Sequence, residues 1–215
     1  MNSNAITRPD RVIRQFLRRL RVRLTPGGAR VLEVYDQVAG QIMMREAGHL
    51  YRLAHGRRVI VEIGSYRGRS TCILALGSEG VGGIVHAIDP HIDSSGHIAG
   101  TYCAGDHEQL LENARRFGVS DRIRPVVLRS DEARRGWDGT LIDLLWIDGD
   151  HSYEAVSADL GDWSGLVRPG GIICGHDYSD SWPGTKRAWD EFFARSPGFT
   201  RRPGVKTIVW GVRQE

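Results

Sequence analysis

Val59-Ile60-Val61-Glu62-Ile63-Gly64-Ser65-Tyr66-Arg67-Gly68-Arg69-Ser70 is an apolar run that ends in an acid and breaks at glycine. Val59, Ile60, Val61 and Ile63 read as a strand buried on both faces, Gly64 and Gly68 allow a tight turn, and a helix begins at Ser70. A strand–helix turn of this kind places a ligand close to its backbone. A dinucleotide site would space its glycines as Gly-x-Gly-x-x-Gly. Here the spacing is Glu62-x-Gly64-x-x-x-Gly68, which weakens a diphosphate reading.

Working outward, Gly83 to Asp89 reads as a second strand ending in an acid, and Asp89 stands 27 positions after Glu62. A carboxylate there can accept both ribose hydroxyls, as the acid of a Rossmann dehydrogenase does, or it can cap its own loop. Strand and helix then alternate: helix at Glu108 to Phe117, strand at Ile123 to Leu128, strand at Leu141 to Asp148, helix at Tyr153 to Trp163. A strand at Gly171 to Gly175 follows the Pro169-Gly170-Gly171 turn, then a helix at Lys186 to Ala194 and a β-rich tail from Phe199 to Val212. This alternation predicts an α/β fold, a mostly parallel sheet with helices on both faces.

The segment Leu144-Leu145-Trp146-Ile147-Asp148-Gly149-Asp150-His151 is a buried strand that emits two carboxylates and an imidazole at its C-terminal end. The next strand emits His176-Asp177-Tyr178. Neighbouring parallel strand ends lie ~5 Å apart, so Asp148 and Asp177 can converge on one cation, and hard oxygen donors suit magnesium. Taken singly, each of these residues also has a local explanation, such as a turn acid or a cap for the helix that starts near Ser152.

The Glu62-to-Ser70 pattern resembles motif I of class I S-adenosylmethionine (SAM) methyltransferases. That resemblance implies a Rossmann-like seven-stranded sheet closed by antiparallel C-terminal strands, and covers nearly the whole chain. It also implies that Glu62, Gly64, Ser65, Gly68 and Ser70 hold the amino-acid end of SAM, that Asp89 holds the ribose, and that Ser130 and Asp131 lie at the adenine. Asp131 has an alternative as a helix N-cap, and Trp137 either stacks on adenine or packs.

The second segment is similar to metal-dependent O-methyltransferases of the catechol type. In its Asp-Gly-Asp-His and His-Asp-Tyr wording it is similar to macrocin O-methyltransferase and cephalosporin-hydroxylase-like relatives, and in size to mycobacterial-type mannoside O-methyltransferases. The resemblance implies a divalent metal, expected to be Mg2+, on Asp148, His176 and Asp177, with Asp148 also beside SAM. His151 falls where the catechol type has a lysine base, and an imidazole suits that task. His176 departs from the usual acidic pair, so its role as ligand, as a support for a carboxylate or as a substrate contact stays open.

The expected reaction is methyl transfer to a hydroxyl of a small polyhydroxyl acceptor, a sugar or glycoside. The alternatives are a catechol-like acceptor, or RNA docked on the arginine-rich N-terminus. In the 215 residues only Lys186 and Lys206 are lysines and the net charge is +3. Arg8, Arg11, Arg14, Arg18, Arg19, Arg21 and Arg23 interleave with apolar residues at helical spacing. This segment reads as a helix packed by its apolar stripe, as a homodimer or lid helix, or as a nucleic-acid or membrane contact. Nucleic acid is disfavoured by the scarcity of interleaved aromatics. Residues 1–56 are read as a helical cap and residues 57–215 as the SAM-binding core. No run approaches the ~20 apolar residues of a membrane span. The three cysteines form no framework, so a cytoplasmic enzyme is expected.

Overall fold

The computed structural model describes residues 17, 19, 20, 22–93 and 102–215. Two helices come first, α1 (Gly28–Gln37) and α2 (Met44–Ala54), and then β1 (Val59–Ile63), α3 (Arg69–Ser78), β2 (Ile84–Ile88) and α4 (Asp106–Arg116). They are followed by β3 (Ile123–Val126), α5 (Ser130–Arg135), β4 (Ile142–Ile147), α6 (Tyr153–Trp163) and β5 (Val167–Gly175). The chain ends with α7 (Pro183–Arg195), β6 (Phe199–Val205) and β7 (Ile208–Arg213).

The seven strands form one sheet in the order β3-β2-β1-β4-β5-β7-β6. β7 runs antiparallel to both of its neighbours, and the other six strands share one direction. The order reverses between β1 and β4, so their C-terminal ends open a crevice there. Period-2 alternation sorts the core into two layers. Ile60, Leu144 and Trp146 pack against α1, α2 and α3. Val61, Ile63, Leu145 and Ile147 pack with Trp163 of α6 and Trp189 of α7 on the other face.

Two expectations change in detail. The helical stretch read from Val31 to His55 is two helices, because Arg69 captures the break between them. Its guanidinium donates to the carbonyls of Val38 (2.7 Å), Gly40 (2.7 Å) and Ile42 (3.1 Å). Pro169-Gly170-Gly171 is a bulge inside β5 rather than a turn before it: Ile142 pairs with Val167 and Leu144 with Ile172, and Gly170 takes φ 71°. The helices α1 and α2 share one apolar core with the sheet, through Val31, Leu50 and Leu53 beside Ile73 and Trp146.

Most of the basic segment before Leu24 lies outside the described residues, as does the 94–101 stretch of the long loop after β2. Of its described part, Val22 packs against the core, while Leu17, Leu20 and Leu24 are exposed and Arg19 pairs with Asp36. Among the described residues no helix is long and apolar enough to cross a membrane.

Candidate active site

A cleft of about 690 Å³ opens at the C-terminal ends of β1, β2, β4 and β5. The β1 turn forms its floor. Gly64 adopts φ 87°, and a Cβ there would fall on the Asp148 carbonyl and lie 2.7 Å from Gly149 N, so only glycine lets the β1 and β4 turns touch. Asp148 N donates to Ile63 O at 2.8 Å and His176 N to Ile147 O at 3.1 Å, which ties the three strand ends together in sequence.

Asp89, at the end of β2, accepts backbone N–H bonds from Ser65 (2.9 Å), Tyr66 (2.8 Å) and His91 (2.9 Å). It therefore holds the β1 turn as well as facing the cleft. Ser65, Ser70 and Asp89 line the wall, and the buried Ser65 hydroxyl has no partner among the described residues. Ser130 and Asp131 line the far end. Ser130 Oγ accepts from Trp163 Nε1 at 2.9 Å, and Asp131 is paired with Arg129 and Arg135 at the exposed rim. Burial and the nearby Asp162, Asp150 and Asp131 push Asp159, next to Ser130, up to about 6.

Two residues expected to touch the cofactor do not line the cleft. Glu62 is fully buried beneath the turn, paired in register with Ala87 and Trp146. Its carboxylate oxygens have no hydrogen bond of good geometry, and burial pushes it up to about 8 against the influence of the Ser70 and Thr71 hydroxyls. Gly68 sets the left-handed start of α3 and packs on Leu110, where a Cβ would meet Cγ at 3.1 Å. Trp137 packs edge-on against His86 and Trp163 and donates to Thr140 O, so it belongs to the core beside the cleft.

At the other end of the cleft, the donor atoms of Asp148, His151 and Asp177 lie within 4.8 Å of one another. Ligand atoms ~2.0–2.4 Å from a single ion span about that distance, so two carboxylates and an imidazole fit one divalent cation. His151 Nε2 is 2.8 Å from Asp177 Oδ2, its ring stacks on Trp182 at 4.4 Å, and its carbonyl accepts from Thr185 Oγ1. Burial opposes its charge, but Asp177 and Asp148 raise its pKa. Burial raises the carboxyl of Asp148, partly offset by His176, whereas His151 and His176 hold Asp177 well below the usual carboxylate range despite burial.

His176 is the exception among the expected metal ligands. It is buried behind the cluster, with Nδ1 3.1 Å from Asp177 Oδ2 and 3.4 Å from Asp148 Oδ1, and with Nε2 3.2 Å from Glu46 Oε2. Both ring nitrogens face carboxylates, and these override burial to raise the imidazole to about 12. His151 takes the place in the cluster that had been expected for His176. Tyr66, His91 and Asp177 line this cleft with positive φ, three of the four such non-glycine residues among those described, and strain of that kind collects at functional sites.

The model of the family described as "Methyltransferase domain" matches residues 61–178, more than half of the chain, from inside β1 to just past Asp177. The chain belongs to this methyltransferase family.

Solved structures similar to this methyltransferase show the same fold. The cofactor-bound Rv0187 protein from MTB has a TM-score of 0.71 at 22% identity, covering 100% of both chains. The O-methyltransferase from Bacillus cereus in complex with SAH has a TM-score of 0.64 at 21% identity, over 88% of this chain and 93% of that one. TomG from Streptomyces achromogenes, an O-methyltransferase of tomaymycin synthesis in complex with SAM, has a TM-score of 0.65 at 14% identity over 100% of both chains. Among curated proteins, uncharacterized protein R132 of Acanthamoeba polyphaga mimivirus is 32% identical over 74 residues. That match spans 34% of the methyltransferase and 30% of R132.

Sequence reasoning missed Glu46, Tyr66 and Arg69 as parts of this site, and the pairing of Tyr66 with Tyr102, a residue that it had read as substrate-facing in the loop after β2. The aromatic pair had no readable signal, because Tyr66 and Tyr102 meet edge to face only when the loop after β2 returns to the turn after β1.

Proposed function

We propose that this domain transfers the methyl group of SAM to a hydroxyl of a small polar acceptor, with a divalent cation at Asp148 and Asp177. The convergence of Asp148, His151 and Asp177 beside the β1 turn carries this reading. The names of the Bacillus cereus and TomG structures, both O-methyltransferases, agree with it.

In this reading Ser65, Ser70 and Asp89 hold the amino-acid and ribose parts of SAM, and Ser130 and Asp131 flank the adenine. Asp148 and Asp177 supply the cation's donors, with His151 beside them. When bound, the cation lowers the pKa of a coordinated hydroxyl. His151 is a fixed imidazole beside these carboxylates, placed to take the hydroxyl proton. The protein's remaining contribution is to hold acceptor oxygen and methyl donor in line.

The lining also narrows the acceptor. Asp89, Asp93, Asp106, Asp131, Asp148, Asp150, Asp159, Asp162 and Asp177 face the cleft, against Arg69 and Arg129. Arg69 is spent on backbone carbonyls and Arg129 pairs with Asp131. Such a wall repels phosphates, which favours neutral polyhydroxyl molecules such as glycosides over RNA. A second reading, a catechol-like acceptor, draws on the Tyr66–Tyr102 pair, 4.9 Å apart on the cleft wall.

The test is calorimetric SAM binding followed by turnover on glycosides, catechols and RNA, with Mg2+, with Mn2+ and with chelator, for wild type and Asp148→Ala. Metal-dependent methylation of a glycoside, lost in the variant, is the expected result. Absence of SAM binding, or turnover indifferent to chelator, overturns the reading.

A further inference from the structure

Glu46 lies in the first turn of α2, more than a hundred residues before Asp148 and Asp177, and is fully buried. Its Oε2 accepts from Met43 N at 2.6 Å and faces His176 Nε2 at 3.2 Å. Its Oε1 accepts from Thr207 N at 2.9 Å and Thr207 Oγ1 at 2.8 Å. A carboxylate has about four acceptor sites, so every one is used. A buried carboxylate is retained only where it is paired in this way, and stripping its partners is costly.

The ring of His176 passes this arrangement on to the cleft. With Nε2 held by Glu46, its Nδ1 is directed at Asp177 Oδ2 (3.1 Å) and Asp148 Oδ1 (3.4 Å). Without the anchor at Nε2 the ring would lose one of its three carboxylate contacts, and with it the constraint that fixes the direction of Nδ1 toward two acidic side chains on different strands. Partners one step behind a ligand orient it, and their loss typically weakens metal binding ~10–100-fold.

We propose that Glu46 is a positioning residue of the cation site: through His176 it keeps the Asp148 and Asp177 carboxylates convergent and couples that site to the helix whose leading loop walls the cleft. This rests on the cation reading above. The loop is that of Gly40, Gln41 and Ile42, which line the cleft immediately before α2.

The test measures Mn2+ binding by the paramagnetic resonance of the free ion, and SAM binding by calorimetry without metal, on the full chain. Glu46→Gln is expected to weaken Mn2+ binding by about 10–100-fold with SAM affinity changed less than about twofold. Because the action runs through His176, adding E46Q to H176Q should weaken Mn2+ binding by less than about twofold further, the non-additivity of residues acting as one unit. If E46Q does not fold, Glu46→Asp, which keeps the charge but retracts it from His176, carries the same comparison. Equal Mn2+ affinity in wild type and E46Q, or full additivity with H176Q, overturns the proposal alone. Absence of Mn2+ binding to the wild type overturns it together with the cation reading.

Discussion

Gly64→Ala adds one methyl group at the point where the β1 turn meets the β4 turn. The new Cβ falls on the Asp148 carbonyl and 2.7 Å from Gly149 N, both backbone atoms that no rotamer change can move. It also forces alanine to φ 87°, a left-handed conformation. The backbone cost is about 1–2 kcal/mol and the overpacking cost about 1–3 kcal/mol, so roughly 2–5 kcal/mol of stability is lost. For a domain of this length that is a fall in Tm of about 4–20 °C. The matched control is Gly80→Ala, whose Cβ meets nothing and whose φ is not positive, expected within about 0.5 kcal/mol of wild type. Urea unfolding and SAM calorimetry on both variants provide the assay. A Gly64→Ala protein with an unchanged unfolding midpoint and full SAM affinity would refute the claim that the two turns are packed backbone to backbone.

Other consequences can be measured separately. His151→Ala should lower turnover by about 10²–10⁴-fold while SAM affinity stays put, and turnover near wild type would remove His151 as the base. Asp159 titrates near 6 in the fold against 3.8 for the free side chain, so its proton is held more tightly when folded. The stability this gives is fully present below about pH 4 and is lost as pH rises through about 6, up to about 3 kcal/mol. Asp159→Asn should therefore melt higher than wild type at pH 8, with the gap closing by pH 4; melts at both values decide, and a gap of the same size at pH 4 speaks against the assignment. Trp137→Phe should change SAM affinity by less than about twofold, and a loss of tenfold, about 1.4 kcal/mol, would return Trp137 to the adenine site.

Much of the fold could be read along the chain because each buried strand carries its own signal. Val59 to Ile63 and Ile142 to Ile147 are apolar runs interrupted only by Glu62 and Asp143, and each leads into a glycine turn before its helix. The same logic placed Asp148 and Asp177 together, since adjacent strand ends must be neighbours. What was less readable was the job of each glycine and acid. Gly64 faces a second turn as well as the cleft, Glu62 lies beneath that cleft and Asp89 also holds a loop, because the sequence shows that a turn is tight without showing what presses on it.

Local pattern thus determined the α/β alternation, the position of the β1 turn and the pair of aspartates, all properties of short-range spacing and burial. Tertiary structure alone decided that Arg69 breaks the N-terminal helix, that Trp137 packs in the core, that His151 joins the aspartates and that His176 stands behind them. Those outcomes depend on groups tens of residues apart, above all Glu46, whose carboxylate in α2 meets His176 and Thr207 only after the helix has docked on the sheet. A lone glutamate in an amphipathic helix reads as surface, and only docking, by removing water and supplying three of its four partners, turns it into part of the site.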